Sequence, residues 1–241
     1  ERVHPGLVAR ARHIMLPSDY ILFRLTGRAA TERGVSSGTG YFDPFRNAWD
    51  FELAEYAVPG IDWERALPDI VGSSEISGEV RAASGIDGLL GAAVAAGSGD
   101  NQTAALGMGI KEGDLVISFG TSGTIYGRTS VAIKDESGAI NGYADATEAF
   151  LPMVTTLNSA KVTDAFRRIL GVGVEAFDAM ALETPPGARG LVLVPYLDGE
   201  RTPDLPNATG FLSGLRSDVT PGQMARAAVE GVICGLLEGG D

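Results

Sequence analysis

Asp100 is the residue whose setting most suggests chemistry. It lies in G-S-G-D-N-Q (Gly97–Gln102), directly after the apolar run Ala92–Ala96 and before a stretch of small residues with helical character. In open α/β sheets, ligands bind beyond the carboxyl ends of strands, and a carboxylate there can take a proton from a substrate hydroxyl. Gly97 and Gly99 would let a substrate approach the backbone closely. An Asp at a strand–helix junction also serves as a helix N-cap, a place that Asn101 could equally fill, and local sequence leaves both roles of Asp100 open. The second feature is G-T-S-G (Gly120–Gly123). Successive backbone N–H groups in such a turn form an anion-binding concavity, and Thr121 and Ser122 add hydroxyl donors. An ordinary tight hairpin would carry the same residues. A third, G-E-R-T-P (Gly199–Pro203), offers Arg201 to a carboxylate or a phosphate, or Glu200 and Arg201 as a loop lock.

Other chemistries find no support. The chain has no G-x-x-x-x-G-K-[ST] phosphate loop, and Gln102 stands where a dinucleotide fingerprint after Gly97-x-Gly99 wants glycine. His4 and His13 are the only histidines, which leaves a Ser–His–Asp triad and a zinc site poorly supported. The formal net charge of −12 disfavours nucleic-acid and anionic-membrane surfaces. A single cysteine, Cys234, permits no intrachain disulfide, fits a reducing cytoplasm, and sits in an apolar helical stretch that suggests a buried, inert thiol. No apolar stretch is long enough to span a membrane.

The elements that must position these residues alternate between strand and helix, which makes the class α/β. A helix is expected from about Val8 to Gly27, with Pro17 and Ser18 able to restart it after a break. Residues 28–50, small and polar, suggest loop. Leu53–Val58 suggests a short helix, Ile76–Val80 a strand, and Ala92–Ala96 a buried central strand. Gly113–Arg128 is the clearest hairpin, turning at Gly120–Gly123. Phe150–Thr156 suggests another strand. A helix opening at Asn158 or Ser159 would place Val162, Phe166, Ile169 and Leu170 on one face. Gly190–Tyr196 suggests a buried strand. Thr220, Pro221 and Gln223 form a strong helix start, with Thr220 as cap and Gln223 completing a capping box.

In order and spacing, these segments resemble the FGGY family of carbohydrate kinases over nearly the whole chain. The run L-P-S-D-Y-I-L-F-R-L-T-G (Leu16–Gly27), the S-G-T-x-x-x-D of Ser37–Asp43, the Gly97–Gly109 segment, S-F-G-T-S-G (Ser118–Gly123), P-Y-L-D-G-E-R-T-P (Pro195–Pro203) and the Gly210–Glu230 signature carry the resemblance. The resemblance implies an actin-like, ribonuclease-H-like ATPase fold whose two domains close on substrates. Residues 1–110 would be the last part of the sugar-binding domain and 111–241 the first part of the nucleotide-binding domain. It implies ATP-dependent phosphorylation of a ketose hydroxyl, D-xylulose first, with glycerol, ribulose and erythritol as alternatives. Asp100 would be the catalytic base, Asn101 and Gly99 would meet the sugar, and Gly120, Thr121, Ser122 and Gly123 would hold phosphate. The cofactors implied are ATP and the Mg²⁺ carried by ATP, with no protein metal site. A cytoplasmic, possibly homodimeric enzyme is implied, with small-molecule partners and neither nucleic acid nor membrane. The family's D-x-G-T-[ST] loop and late Gly-rich adenosine segment are absent from these 241 residues, so the resemblance implies a chain incomplete at both ends and inactive alone. Against this stand a non-catalytic actin-like module that binds sugar or nucleotide, for which Asp100 would have no use, and a sugar-independent ATPase.

Overall fold

The computed structural model describes residues 6, 7 and 10–238. The chain divides into two compact units. One is formed by 1–112, 128–132 and 142–151, the other by 113–127, 133–141 and 152–241.

The first unit opens with helix α1 (Pro17–Thr26). Residues 11–16 are not helical, so the helix expected from Val8 is interrupted before Pro17, and Val8 itself lies outside the described residues. Pro17 disfavours helical backbone at the residue before it. Leu16 is accordingly extended, at φ −71° and ψ 160°, and α1 begins at the proline. Asp19 accepts the Leu16 N–H at 3.0 Å, and Gly27, left-handed at φ 78°, closes the helix. Residues 28–50 are more ordered than their polarity suggested. They hold β1 (Ala30–Glu32), buried along its length, the short helix α2 (Arg33–Ser36), and the two-residue strands β2 (Phe42–Asp43) and β3 (Ala48–Trp49), which pair antiparallel. Helices α3 (Phe51–Ala57) and α4 (Trp63–Ala66) follow, each capped by an aspartate, Asp50 and Asp62. Strand β4 (Asp69–Val71) pairs in parallel with β1. Ala54, Trp63 and Leu67 form one small core, while Leu22, Ala30 and Val71 form another.

Strands β5 (Ile76–Glu79) and β6 (Ala93–Ala95) form an antiparallel pair. The apolar run at Ala92–Ala96 is therefore a strand, but not a buried central one. Ala92, Ala93 and Ala95 are exposed, while Val94 and Ala96 are partly covered and pack beside the core of Leu22, Ala30 and Val71. Helix α5 (Asp100–Met108) comes next and ends at left-handed Gly109.

The hairpin is as expected. Strand β7 (Leu115–Phe119) and β8 (Gly123–Gly127) pair in register from Leu115–Gly127 to Phe119–Gly123. With β9 (Asn141–Ala144) and β10 (Phe150–Thr156) they make a sheet ordered β7-β8-β10-β9. In the second unit, helices α6 (Ala160–Leu170), α7 (Val174–Glu183) and α8 (Pro221–Glu238) pack around a core of Ile125, Val162, Phe166, Phe177, Leu193, Val232 and Leu236. Ile169 does not share the buried face of Val162 and Phe166; it is exposed. Strands β11 (Val192–Val194) and β12 (Phe211–Ser213) pair antiparallel. In β11 burial alternates, with Leu193 inside and Val192 outside, so it is half-covered and not wholly buried. The start of α8 is a reciprocal capping box. Thr220 donates its N–H to Gln223 Oε1 at 2.8 Å, and Gln223 donates its N–H to Thr220 Oγ1 at 3.3 Å. Cys234, expected in the core, lies on the exposed side of α8.

Candidate active site

The first unit brings Gly99, Asp100 and Asn101 together where the loop after β6 enters α5. Gly99 is the N-cap, extended at φ −67°, and Asp100 is the first helical residue. Neither Asp100 nor Asn101 therefore caps the helix, and Asp100 is exposed. Its Oδ1 accepts the Asn101 N–H at 2.8 Å, which leaves Oδ2 directed by a held carboxylate. The first turn of a helix is where the aligned peptide dipoles favour a negative group. Thr103 Oγ1 donates to the carbonyls of Gly99 and Asp100 at 2.9 and 3.0 Å and fixes the entry turn. Gly97 is left-handed at φ 75°, and a Cβ there would meet nothing within 4 Å, so the approach to the loop is open. A cavity of about 220 Å³ borders α5 at Gln102, Ala105 and Leu106 and is lined on its other side by Arg128 and Asp145, but Asp100 does not line it.

The loop is held from beneath by a residue that the polar composition of 28–50 concealed. Glu32, at the end of β1, is 1% exposed. Its carboxylate accepts from Ser73 Oγ and Ser98 Oγ, each at 2.8 Å, and from the Val35 N–H at 3.2 Å, capping α2. On the far side of Asp100, buried Gln102 donates Nε2 to the Gly34 carbonyl at 3.4 Å. A Cβ at Gly34 would press on Gln102 Cγ, Glu32 Oε2 and Ser98 Oγ at 3.0, 3.0 and 3.1 Å, so only glycine fits among them without displacement. The local sequence Arg28-Ala29-Ala30-Thr31-Glu32 carries no signal of this burial.

The second unit brings Gly120, Thr121, Ser122 and Gly123 into one turn. The Gly120 N–H is taken by the Ser122 carbonyl at 3.0 Å, and the Ala160 N–H by the Gly120 carbonyl at 2.9 Å. Gly120 therefore contributes shape, and the outward donors of the turn are those of Thr121 and Ser122, both exposed. Gly123 is buried; a Cβ there would meet Leu236 Cδ2 at 2.6 Å and Thr156 Oγ1 at 3.0 Å. An apolar cavity of about 300 Å³ starts beside the turn, lined by Phe119, Ser159, Ala160, Thr163, Val229 and Ile233. The segment behind it holds three buried polar atoms without a hydrogen-bond partner, Thr156 Oγ1, Asn158 Oδ1 and Ser159 Oγ.

Glu200 resolves the question raised by G-E-R-T-P. Its carboxylate, 2% exposed, accepts the N–H groups of Leu157 at 2.5 Å and Arg201 at 2.7 Å, and Asn158 Nδ2 at 2.8 Å. The lock runs from Glu200 to backbone and amide, not to the Arg201 guanidinium. It joins the 156–160 segment to the 197–206 loop.

Two family models match the chain: the N-terminal domain of the FGGY family of carbohydrate kinases over residues 1–107, and the C-terminal domain of that family over 115–239. The chain belongs to the FGGY family of carbohydrate kinases. Among relatives, it is similar to the xylulose kinase of Streptomyces rubiginosus, with 41% identity over 233 residues, 97% of this chain and 46% of that protein. Among solved structures, it is similar to the xylulose kinase of Bifidobacterium adolescentis at 33% identity and a TM-score of 0.83, over 98% of this chain and 51% of that one. The gluconate kinase of Lactobacillus acidophilus is similar at 28% identity and a TM-score of 0.84, over 95% of this chain and 48% of that one. The chain thus spans about half the length of the curated relatives it matches.

Proposed function

We propose that a protein of the relatives' full length containing this chain transfers the γ-phosphoryl group of ATP to a hydroxyl of D-xylulose, giving D-xylulose 5-phosphate and ADP. The observation that carries the reading is Asp100: an exposed carboxylate at the start of a helix, on a glycine loop, oriented through Oδ1 by the Asn101 N–H. As the sugar oxygen attacks the γ-phosphorus, Asp100 takes its proton and the bond to the ADP oxygen breaks. Asn101 and the backbone at Gly99 meet the sugar in this proposal. The Thr121 and Ser122 hydroxyls and N–H groups hold phosphate oxygens, with Gly120 and Gly123 giving the turn its shape. The apolar cavity beside Phe119 suits the flat base of a nucleotide. Residues 1–110 serve the sugar and 111–241 the nucleotide. Mg²⁺ would enter with the phosphates of ATP and neutralise their charge. No described helix is long and apolar enough to cross a membrane. A cytoplasmic setting goes with the use of ATP.

The test is ADP release by the full-length protein with Mg–ATP across D-xylulose, L-xylulose, ribulose, gluconate, glycerol, erythritol and no sugar. D-Xylulose is expected to stimulate most. The likeness to a gluconate kinase favours gluconate as the second reading, and preferred turnover of it would replace the substrate while keeping the chemistry. Asp100→Asn is expected to lower kcat by about 10²–10⁴, the usual worth of a general base. Wild-type kcat in that variant would remove Asp100 from the reaction.

A further inference from the structure

The base proposed above is exposed and sits on a loop with two glycines, yet a catalytic carboxylate must be held within a fraction of an ångström. Residues two positions before it and two positions after it are both tied to the same short stretch, Glu32–Gly34. Before Asp100, Ser98 Oγ donates to Glu32 Oε2 at 2.8 Å, while the Gly97 N–H reaches the Ser73 carbonyl at 3.3 Å and Ser73 Oγ donates to Glu32 Oε1 at 2.8 Å. After Asp100, Gln102 Nε2 donates to the Gly34 carbonyl at 3.4 Å. The anchor itself has no freedom, because Glu32 is fully buried, ends β1 and caps α2 through Val35.

We propose that Glu32, acting through Ser98 and Ser73, is a positioning residue that sets the place of the Asp100 carboxylate. This rests on the reading of Asp100 as the base. Glu32 touches no substrate; it fixes the loop on which the base rides. A carboxylate suits the task, since its two oxygens accept both hydroxyls and a backbone N–H at once. Glutamine could do most of the same, accepting from Ser98 with Oε1 and donating from Nε2 to a reoriented Ser73 hydroxyl.

The experiment measures kcat and KM for D-xylulose in the full-length protein for Ser98→Ala, Glu32→Ala, Glu32→Gln, Asp100→Asn and the double variant Ser98→Ala/Asp100→Asn, with a melting temperature for each. Ser98→Ala is expected to lower kcat about tenfold with KM nearly kept, and Glu32→Ala about 100-fold, since misplacing a reacting group by about 1 Å can cost 10² in rate. Glu32→Gln is expected to return to within about threefold of wild type. In the Asp100→Asn background, Ser98→Ala should have no further effect, because a residue that acts through Asp100 has nothing left to position. Ser98→Ala alone settles the matter if Glu32→Ala does not fold. Wild-type kcat in Ser98→Ala beside an impaired Asp100→Asn would overturn the positioning role while leaving the base. So would losses that multiply in the double variant. Full activity of Asp100→Asn would overturn the base assignment and this proposal with it.

Discussion

At the scale of residues, two carboxyls of the first unit behave in opposite ways. Asp100 is exposed and held by one N–H, whereas Asp19 is 5% exposed within α1. Burial pushes the Asp19 carboxyl above its ordinary range, with the negative Glu32 adding to the push, and hydrogen bonds from Thr31 and the Leu16 N–H oppose it. The raised value means that the folded chain binds this proton more tightly than the unfolded chain does. The contribution of this group to stability is therefore fully present below the ordinary carboxylate pKa of about 3.9. It falls as pH rises from there to the raised value, and the loss is complete above it. Asp19→Asn keeps an acceptor for Leu16 and removes the titration. The variant is expected to gain on the wild type as pH rises from about 4, read as a difference in urea midpoints that grows and then levels off once the Asp19 carboxyl is ionised. A difference that stays constant with pH would show that Asp19 does not carry the effect. Neither Asp19 nor Glu32 could be identified as buried from the local sequence. Each is a charged residue in a short element, and its burial follows from parts of the chain beyond that element, as Ser73 and Ser98 are for Glu32. The settings of Asp100, Gly120 and Gly123, at a helix start and in a hairpin turn, were legible because glycines mark both places.

At the scale of elements, legibility follows explicit punctuation. Helix α8 announced itself through Thr220, Pro221 and Gln223, and the hairpin through Gly120 and Gly123, because these residues act within a few positions of themselves. The apolar run at Ala92–Ala96 gave the strand but not its environment. Which faces of a strand are covered depends on elements far along the chain, and here the outer alanines remain exposed. The same distinction separates two substitutions in α8. Thr220→Ala removes one half of the capping box and is expected to cost about 1 kcal/mol. Gly231→Ala replaces glycine by a better helix former, which alone would stabilise by about 1 kcal/mol. Yet its Cβ would lie 2.5 Å from the Leu193 carbonyl oxygen of β11, a backbone atom in the core that cannot swing aside. Gly231→Ala is therefore expected to destabilise, by about 1–3 kcal/mol of overpacking. Urea unfolding with an unchanged slope measures both. A stabilised Gly231→Ala would mean that α8 does not rest against β11 as described.

At the scale of the whole molecule, the net charge of −12 gives a phosphate ligand no general attraction, so its affinity must come from donors close at hand. The turn at Gly120–Gly123 offers Thr121 and Ser122, with the Gly120 N–H already committed to Ser122. A triphosphate carries more oxygens than these two residues can satisfy, and the D-x-G-T-[ST] loop that the family resemblance implies does not occur in these 241 residues. The chain also spans about half the length of its curated relatives. Phosphoryl transfer depends on positioning and charge neutralisation far more than on any one group, so a base without the remaining phosphate donors has little to act on. Residues 1–241 produced alone are therefore expected to release no ADP in a D-xylulose-dependent manner above background, while a protein of the relatives' full length containing them does. Circular dichroism and a cooperative melt establish that the shorter chain is folded. Sugar-dependent turnover by residues 1–241 at the rate of the longer protein would show that the turn and Asp100 suffice, and that the phosphate site needs nothing from elsewhere.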